Sequence, residues 1–533
     1  MEKIEVLAGL LVAVVMLVLL ARRIAIPYPI VLVLGGLALG FVPGLPRVAM
    51  PPDLVLIVFL PPLLFAQAVT FSWRDFVANL RSILLLAVAL VLATTGLVAV
   101  IAHGVIPSLP WAAAFALGAI VAPTDAVAAS AIAQRLRIPR RIITILTGES
   151  LVNDGASLVA YKLAVAAAMT GAFSASHAAG QFILSSLGGI ALGLAVGWGI
   201  GWVRHRMQPE PTVENTISLL SPFAAYLPAE SLGVSGVLAV VAAGLYLGRQ
   251  APRFVTAPTR LQAVAIWGMI DFLLNGLLFI LVGLQMRPIL ENVAAHHLPR
   301  LLVEAALLSL TVVAARIACV FFASYLTDLF SQQKAKRNAA RPWQEVAVVA
   351  WTGMRGGISL AAALALPLTI SGNVPFPERD LLIFLTFSVI LSTLVIQGLS
   401  LPWLIRRLGL SDDGGAAQEE AQARQQATQA ALGRLNEIAE AEDLPVDLVE
   451  DLRGHFAHME ARFAARVEGT GDAERESWAA ALHRLRGEMI TAERQTVVSL
   501  RDDGTISDTV LQRVQRSLDL EEQRLGMEED GQE

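Results

Sequence analysis

Ionisable side chains inside apolar stretches are the first residues to explain, because a charge at the centre of a membrane helix costs about 3 kcal/mol even on insertion-based scales. They are few here, and they cluster: Asp125 in Ala122-Pro123-Thr124-Asp125-Ala126, Glu149 and Asp154 in Gly148-Glu149-Ser150-Leu151-Val152-Asn153-Asp154-Gly155, then Arg316, then Arg355 in Gly353-Met354-Arg355-Gly356-Gly357. On a helix, Ser150 and Asp154 are four apart, as are Glu149 and Asn153, which makes two adjacent polar strips. Ser150 and Asp154 are read as a hydrophilic ion path. Glu149 is read as half of an interhelical ion pair, since an unpaired carboxylate in that position would not stay charged. Arg316 and Arg355 both qualify as its partner, and spacing does not choose between them.

A hard monovalent cation takes several oxygen ligands, and a broken helix offers backbone carbonyls that an intact helix keeps hydrogen-bonded. Pro123 removes one helical hydrogen bond and sets Thr124 and Asp125 beside unwound backbone. Gly356 and Gly357 loosen a later segment in the same way, with Arg355 placed to neutralise the carbonyl dipoles that meet there. A carboxylate at position 154 can hold a proton or a metal cation but not both, so exchange of one for the other follows from competition without a separate proton wire.

The elements that must position these residues are membrane spans. The chain has 533 residues, 55% hydrophobic and 16% charged, and a mean hydropathy of +0.62, far too apolar for a soluble domain of this length. Windows long enough to cross about 30 Å of hydrocarbon predict about thirteen spans, at 4–21, 25–44, 53–70, 80–104, 109–134, 141–169, 180–203, 214–230, 233–248, 262–286, 299–327, 343–367 and 380–405. The first is read as retained, because its basic pair Arg22-Arg23 follows the apolar run instead of preceding it. Interrupted spans fifth and twelfth in the order are what two inverted six-span repeats with one intervening span would produce. Within its own span Asp154 lies about a dozen residues from the cytoplasmic end, roughly 19 Å deep at 1.5 Å per residue, a level that Arg355 and Asp125 approach.

With the N-terminus outside, most basic residues fall on the cytoplasmic face, among them Arg22, Arg23, Arg74, Arg81, Arg137, Arg140, Arg141, Lys334, Lys336, Arg337, Arg341, Arg406 and Arg407. The opposite face receives Lys3, Arg47, Arg287, Arg300 and Arg379, a bias that sets orientation and favours an odd number of spans. Residues 411–417 form a Gly- and Asp-bearing linker into a charged, helical cytoplasmic region, 411–533, after the transmembrane part, 1–410. In that region Leu432, Leu444, Leu448, Leu452, Phe456 and Met459, and then Val510, Val514, Leu518 and Leu525, form apolar stripes suited to a small bundle or a dimer seam. Asp271 and Asn275 are read as partners in interhelical hydrogen bonds, Lys162 as reaching to the membrane surface, and His103 as an interface residue. With Cys319 as its one cysteine the chain builds neither an internal disulfide nor a thiolate metal site.

These motifs, with Phe59-Leu60-Pro61-Pro62-Leu63-Leu64-Phe65 and Phe272-Leu273-Leu274-Asn275-Gly276-Leu277-Leu278-Phe279, closely resemble the bacterial members of the monovalent cation:proton antiporter family, the sodium/proton exchangers. The resemblance spans nearly the whole membrane part. It implies an all-α polytopic membrane protein with inverted repeats and two crossed discontinuous helices, the fifth and twelfth. It also implies a homodimer in the plasma (inner) membrane, whose six-helix core moves against a dimerisation domain in an elevator-like cycle. Transferred by residue, Asp154 looks like the carrier of cation and proton, with Ser150, Asp125 and the Thr124 backbone completing a site for transported Na+. Glu149 looks like the partner of Arg316, and Asn153 places the chain with the electroneutral branch. Where relatives often carry an acidic residue after the Pro-Pro-Leu-Leu-Phe run, this chain has Ala66-Gln67. No cofactor is expected beyond the transported Na+ and H+, no enzymatic step and no nucleic acid.

Overall fold

The computed structural model describes the chain apart from residues 1, 25, 44–55, 137, 172–173, 208–209, 288–297, 331–342, 371–373, 411–414, 443, 469–472 and 531–533, and for some further residues only the backbone. Of the residues used above for orientation, Arg47, Arg137, Lys334, Lys336, Arg337 and Arg341 lie outside the described residues, as does most of the linker. The chain divides into two compact units, Met1–Ser411 and Asp412–Glu533. The first is nearly all helix. Among the described residues its strands are limited to the antiparallel pair Thr369–Ile370 and Val374–Pro375.

Six helices are long and apolar enough to cross a bilayer by length and composition: Glu5–Arg23, Trp73–Val105, Ala175–Met207, Ala257–Leu284, Pro299–Tyr325 and Arg379–Leu408. Three of the other expected spans differ in ways that bear on function. Arg140–Thr170 is a single helix of 31 residues, but it carries Arg140, Arg141, Glu149, Asp154 and Lys162. The segment expected at 109–134 is two helices, Trp111–Val121 and Ala126–Arg135, with residues 122–125 non-helical between them. Pro123 accounts for that break, since it has no N–H to donate and its ring collides with the carbonyl one turn back. The segment expected at 343–367 is likewise split into Trp343–Trp351 and Gly357–Leu364, with 352–356 non-helical.

Packing relies on small residues, as it must where lipid tails remove any hydrophobic drive between helices. Gly189, Gly193, Gly197 and Gly201 recur along the buried face of Ala175–Met207, which packs along Gly236–Phe254. A β-carbon on Gly193 would strike the backbone of Ala239, and one on Gly189 the carbonyl of Ser235. Lys162, expected at the membrane surface, is exposed and pairs with Glu230 at 2.5 Å, and the other oxygen of that carboxylate accepts from the Gly236 amide at 3.2 Å. The bond ties Arg140–Thr170 to the end of Pro211–Ser231, a partner that sequence separation conceals. His103 stacks on Trp111 with ring centroids 4.2 Å apart.

The second unit comprises Gly415–Ala441, Val446–Glu468, Ala473–Asp502 and Asp508–Asp530, the first two helices packed together and the last two likewise. Ile490, Leu518 and Val514 form a small apolar cluster, flanked by Arg494 bound to Asp519 at 2.7 Å and Glu522 at 2.5 Å. The expected stripes pack only in part. Leu448, Leu452 and Val510 are exposed, because one neighbouring helix covers one side of an amphipathic surface; the Leu525 side chain is outside the described residues.

Candidate functional site

The two helix breaks meet, the amide of Asp125 donating to the carbonyl of Met354 at 2.8 Å. Arg355, fully buried, spreads its guanidinium over the carbonyls left free at the end of Trp111–Val121. Its Nε donates to Val121 at 3.0 Å and its Nη2 to Ala122 at 3.5 Å, and a further bond closes on the Gly353 carbonyl. A cation at a helix C-terminus offsets the dipole of the unsatisfied carbonyls. The Arg355 amide donates to Thr393 Oγ1 at 3.2 Å, and Thr393 opens a π-turn, Thr393–Gln397, in the last apolar helix.

Glu149 is bound by Arg316 and not by Arg355. Arg316 Nη1 and Nη2 donate to its two oxygens at 2.5 and 3.1 Å, both side chains fully buried, and Nη2 also reaches the Val349 carbonyl at 3.0 Å. Thr124 Oγ1 donates to Glu149 Oε1 at 2.9 Å, and Asn153 Nδ2 donates in turn to Thr124 Oγ1 at 2.9 Å. A continuous polar chain thus runs from Arg316 through Glu149 to the first helix break. The neighbouring strip of Arg140–Thr170 is built differently. Ser150 Oγ accepts from the Ala126 amide at 3.4 Å, and Asp125 Oδ1 accepts from the Val127 amide at 2.8 Å, so Asp125 caps the helix that begins at Ala126.

Asp154 lies 4% exposed. The Ser157 hydroxyl bonds its backbone carbonyl at 3.1 Å, and among the described residues no hydrogen bond reaches its carboxylate. That carboxylate borders a cavity of about 20 Å³, whose wall also includes Pro123, Thr124, Asp125, Ser150, Gly356, Gln67, Asn275 and Ser359. Such a volume is on the scale of one water position. Two carboxylates and the hydroxyl residues Thr124, Ser150 and Ser359 share the wall with Leu63, Leu64, Val127, Leu278 and Ile358, and such oxygens are the ligands a small hard cation favours.

The glycines of the second break are there for space. A β-carbon on Gly356 would collide with the Asp125 carboxylate, one on Gly357 with Leu278, and one on Gly353 with Arg316. Gly356→Ala is accordingly expected to push Asp125 off its place and to lower transport about 10- to 100-fold, the scale on which small displacements disable positioned groups. Fluxes through purified protein in vesicles would read it, with gel-filtration elution as the check on folding.

Sequence reasoning passed over Ser359 and Thr393 and met Gln67 only as a departure from the relatives' pattern, although a polar residue within each apolar run was the available signal. It also misjudged Asn275, whose Nδ2 donates to Asp271 Oδ1 at 3.0 Å on the same helix instead of crossing to another. Residues four apart on a helix face each other, so the pair is satisfied locally.

A helical membrane bundle whose two interrupted segments join beside a buried carboxylate is the construction of a secondary transporter. The chain belongs to the sodium/hydrogen exchanger family, whose family model, "Sodium/hydrogen exchanger, transmembrane", matches residues 10–407. An uncharacterised Na+/H+ exchanger of Mycobacterium tuberculosis is 37% identical over 524 residues, covering 98% of this chain and 96% of the relative. A sodium, potassium, lithium and rubidium/H+ antiporter of Bacillus subtilis is 37% identical over 391 residues, covering 71% of this chain and 58% of the relative. The fold is similar to that of the sodium proton antiporter MjNhaP1 from Methanocaldococcus jannaschii, with a TM-score of 0.59 at 22% identity over 76% of this chain and 99% of that one.

Proposed function

We propose that this chain is a secondary antiporter that exchanges Na+, with Li+ or K+ as alternative cargo, for H+ across the plasma (inner) membrane of a bacterium. The observation that carries the reading is Asp154, a buried acid with no hydrogen bond to its carboxylate among the described residues, on the wall of a cavity that it shares with Asp125, Ser150 and Thr124 where two helix breaks meet. A carboxylate in that setting needs either a proton or a cation to offset its charge, and the cavity has room for one small particle at a time. Asp125, Ser150 and the Thr124 backbone complete the cation site. Glu149 is neutralised by Arg316 and does not take part in the exchange; Asn153 carries no charge.

One acid that trades one Na+ for one H+ moves no net charge, so the exchange is electroneutral at one for one. Access alternates as a core that contains the two broken helices, crossed within inverted repeats, moves in an elevator-like manner against a dimerisation domain of a homodimer. The architecture is about thirteen spans in residues 1–410, N-terminus outside, with residues 411–533 a soluble cytoplasmic region. The bias of basic residues supports this orientation, and the relatives' printed names support the exchange. Nothing in the cycle requires a covalent step or a cofactor.

Purified protein in acid-loaded vesicles tests the reading. External Na+ is expected to alkalinise the lumen, at a rate unchanged when the membrane potential is clamped with valinomycin. Movement of one net charge would instead bias the exchange by about 2.3 kcal/mol per 100 mV, and a rate that follows the clamp would overturn the one-for-one stoichiometry.

A further inference from the structure

Asp271 stands outside the exchange just described, and it is costly where it is. It lies midway along Ala257–Leu284, half-buried, and among the described residues no lysine or arginine pairs with it. Ionisable groups at that depth are retained where they act. Its Oδ1 accepts from Asn275 Nδ2 at 3.0 Å, and Asn275 lines the cavity that holds Asp125 and Asp154.

The bond settles a choice that an asparagine otherwise leaves open. An amide can present its oxygen or its NH2 to a cavity, and the two are nearly the same shape. For a cation they are opposites. An ionised carboxylate only accepts, so Asp271 must be met by the NH2 group, and the amide oxygen of Asn275 is then the end left to offer.

We propose that Asn275 is a further cation ligand of this cavity and that Asp271 is its positioning residue, holding the amide with its oxygen towards the cargo. The proposal rests on the antiport reading above and adds to it a ligand from Ala257–Leu284, an element separate from the two broken helices and from Arg140–Thr170. Neutral and oxygen-bearing, Asn275 contributes affinity for Na+ without adding a charge that a second proton would have to balance.

The experiment is Na+-driven exchange in vesicles, with KM and maximal rate measured separately for wild type, Asn275→Ala, Asp271→Ala, the double variant and Asp271→Asn. Loss of one ligand is expected to raise the KM for Na+ about tenfold in either alanine variant, with the maximal rate little changed. Because the two residues act through one contact, the double variant should be no worse than a single one. Asp271→Asn keeps an acceptor oxygen but adds an NH2 that can meet the Asn275 oxygen, so its KM should fall between those of wild type and Asp271→Ala. A KM unchanged by Asn275→Ala, or a double variant whose loss is the product of the two singles, overturns the proposal. As a second readout that needs only binding, the Na+ concentration that gives a half-maximal rise in thermal midpoint should be about tenfold higher for Asn275→Ala than for wild type; an unchanged concentration dependence also overturns it. Absence of Na+-driven exchange in wild type would strike the antiport reading itself, a result separate from any of these.

Discussion

Asp154→Asn is expected to reduce cation-driven proton movement to the level of protein-free vesicles while the protein continues to elute as a folded species. The substitution is close to isosteric and adds no bulk to a cavity of about 20 Å³, so its effect isolates charge. No hydrogen bond to the Asp154 carboxylate is lost, because among the described residues it accepts none; the bond from the Ser157 hydroxyl goes to the backbone carbonyl. Stability should therefore be held or slightly raised, since a buried charge without a partner is removed. That combination, function gone and fold kept, separates a carrier from a structural acid. Substantial exchange by the asparagine variant would refute the role assigned to position 154, whatever its stability. Asp154→Glu keeps the charge on a longer stem and is expected to fall between the two, since ångström-scale displacement of a liganding group is itself expensive.

The opposite signature is expected one residue turn away, at the ion pair. Arg316→Leu or Glu149→Leu alone leaves a fully buried charge without its partner, which costs about 3–5 kcal/mol and should lower the thermal midpoint of the detergent-solubilised protein sharply. The double substitution to leucines should recover much of that loss, because well-packed apolar side chains often replace a buried pair at little cost. Exchange is not expected to recover with it. Thr124 would have lost the Glu149 oxygen it donates to, and Asn153 reaches the same threonine, so the backbone at the first helix break would be free to shift. Thermal unfolding and vesicle flux measured on the same four proteins would check both halves. A double variant as unstable as the singles would show that the pair holds the fold by more than mutual neutralisation.

Much of this site was legible because membrane helices make polar residues conspicuous. Pro123, Asp125, Asp154 and Arg355 each stand out as costly in lipid, and the four-residue spacings of Arg140–Thr170 separate Glu149 from Asp154. Helix breaks were legible for the same reason: Pro123 cannot donate, and the glycine run lowers helix propensity. What spacing could not supply was distance in space. Two arginines were compatible with Glu149, and only the fold shows that Arg316, on Leu298–Phe330, is the one that comes to 2.5 Å. Lys162 and Glu230 were each visible, but not their meeting. Asn275 and Asp271 were noticed and given the wrong geometry, because an i,i+4 pair that satisfies itself looks the same in sequence as one that reaches across. Thr393 was missed because a threonine in an apolar helix is ordinary, and only its bond to the Arg355 amide marks it.

The glycine row of Ala175–Met207 limits how the molecule can deform. Where Gly189 and Gly193 lie against Ser235 and Ala239, main chain rests on main chain, and no rotamer is available to absorb a slip. Advancing the seam by a single position would drive a β-carbon into a peptide group. Ala175–Met207 and Gly236–Phe254 are thereby coupled as one beam, and the elevator-like movement proposed above would have to be taken up along other seams.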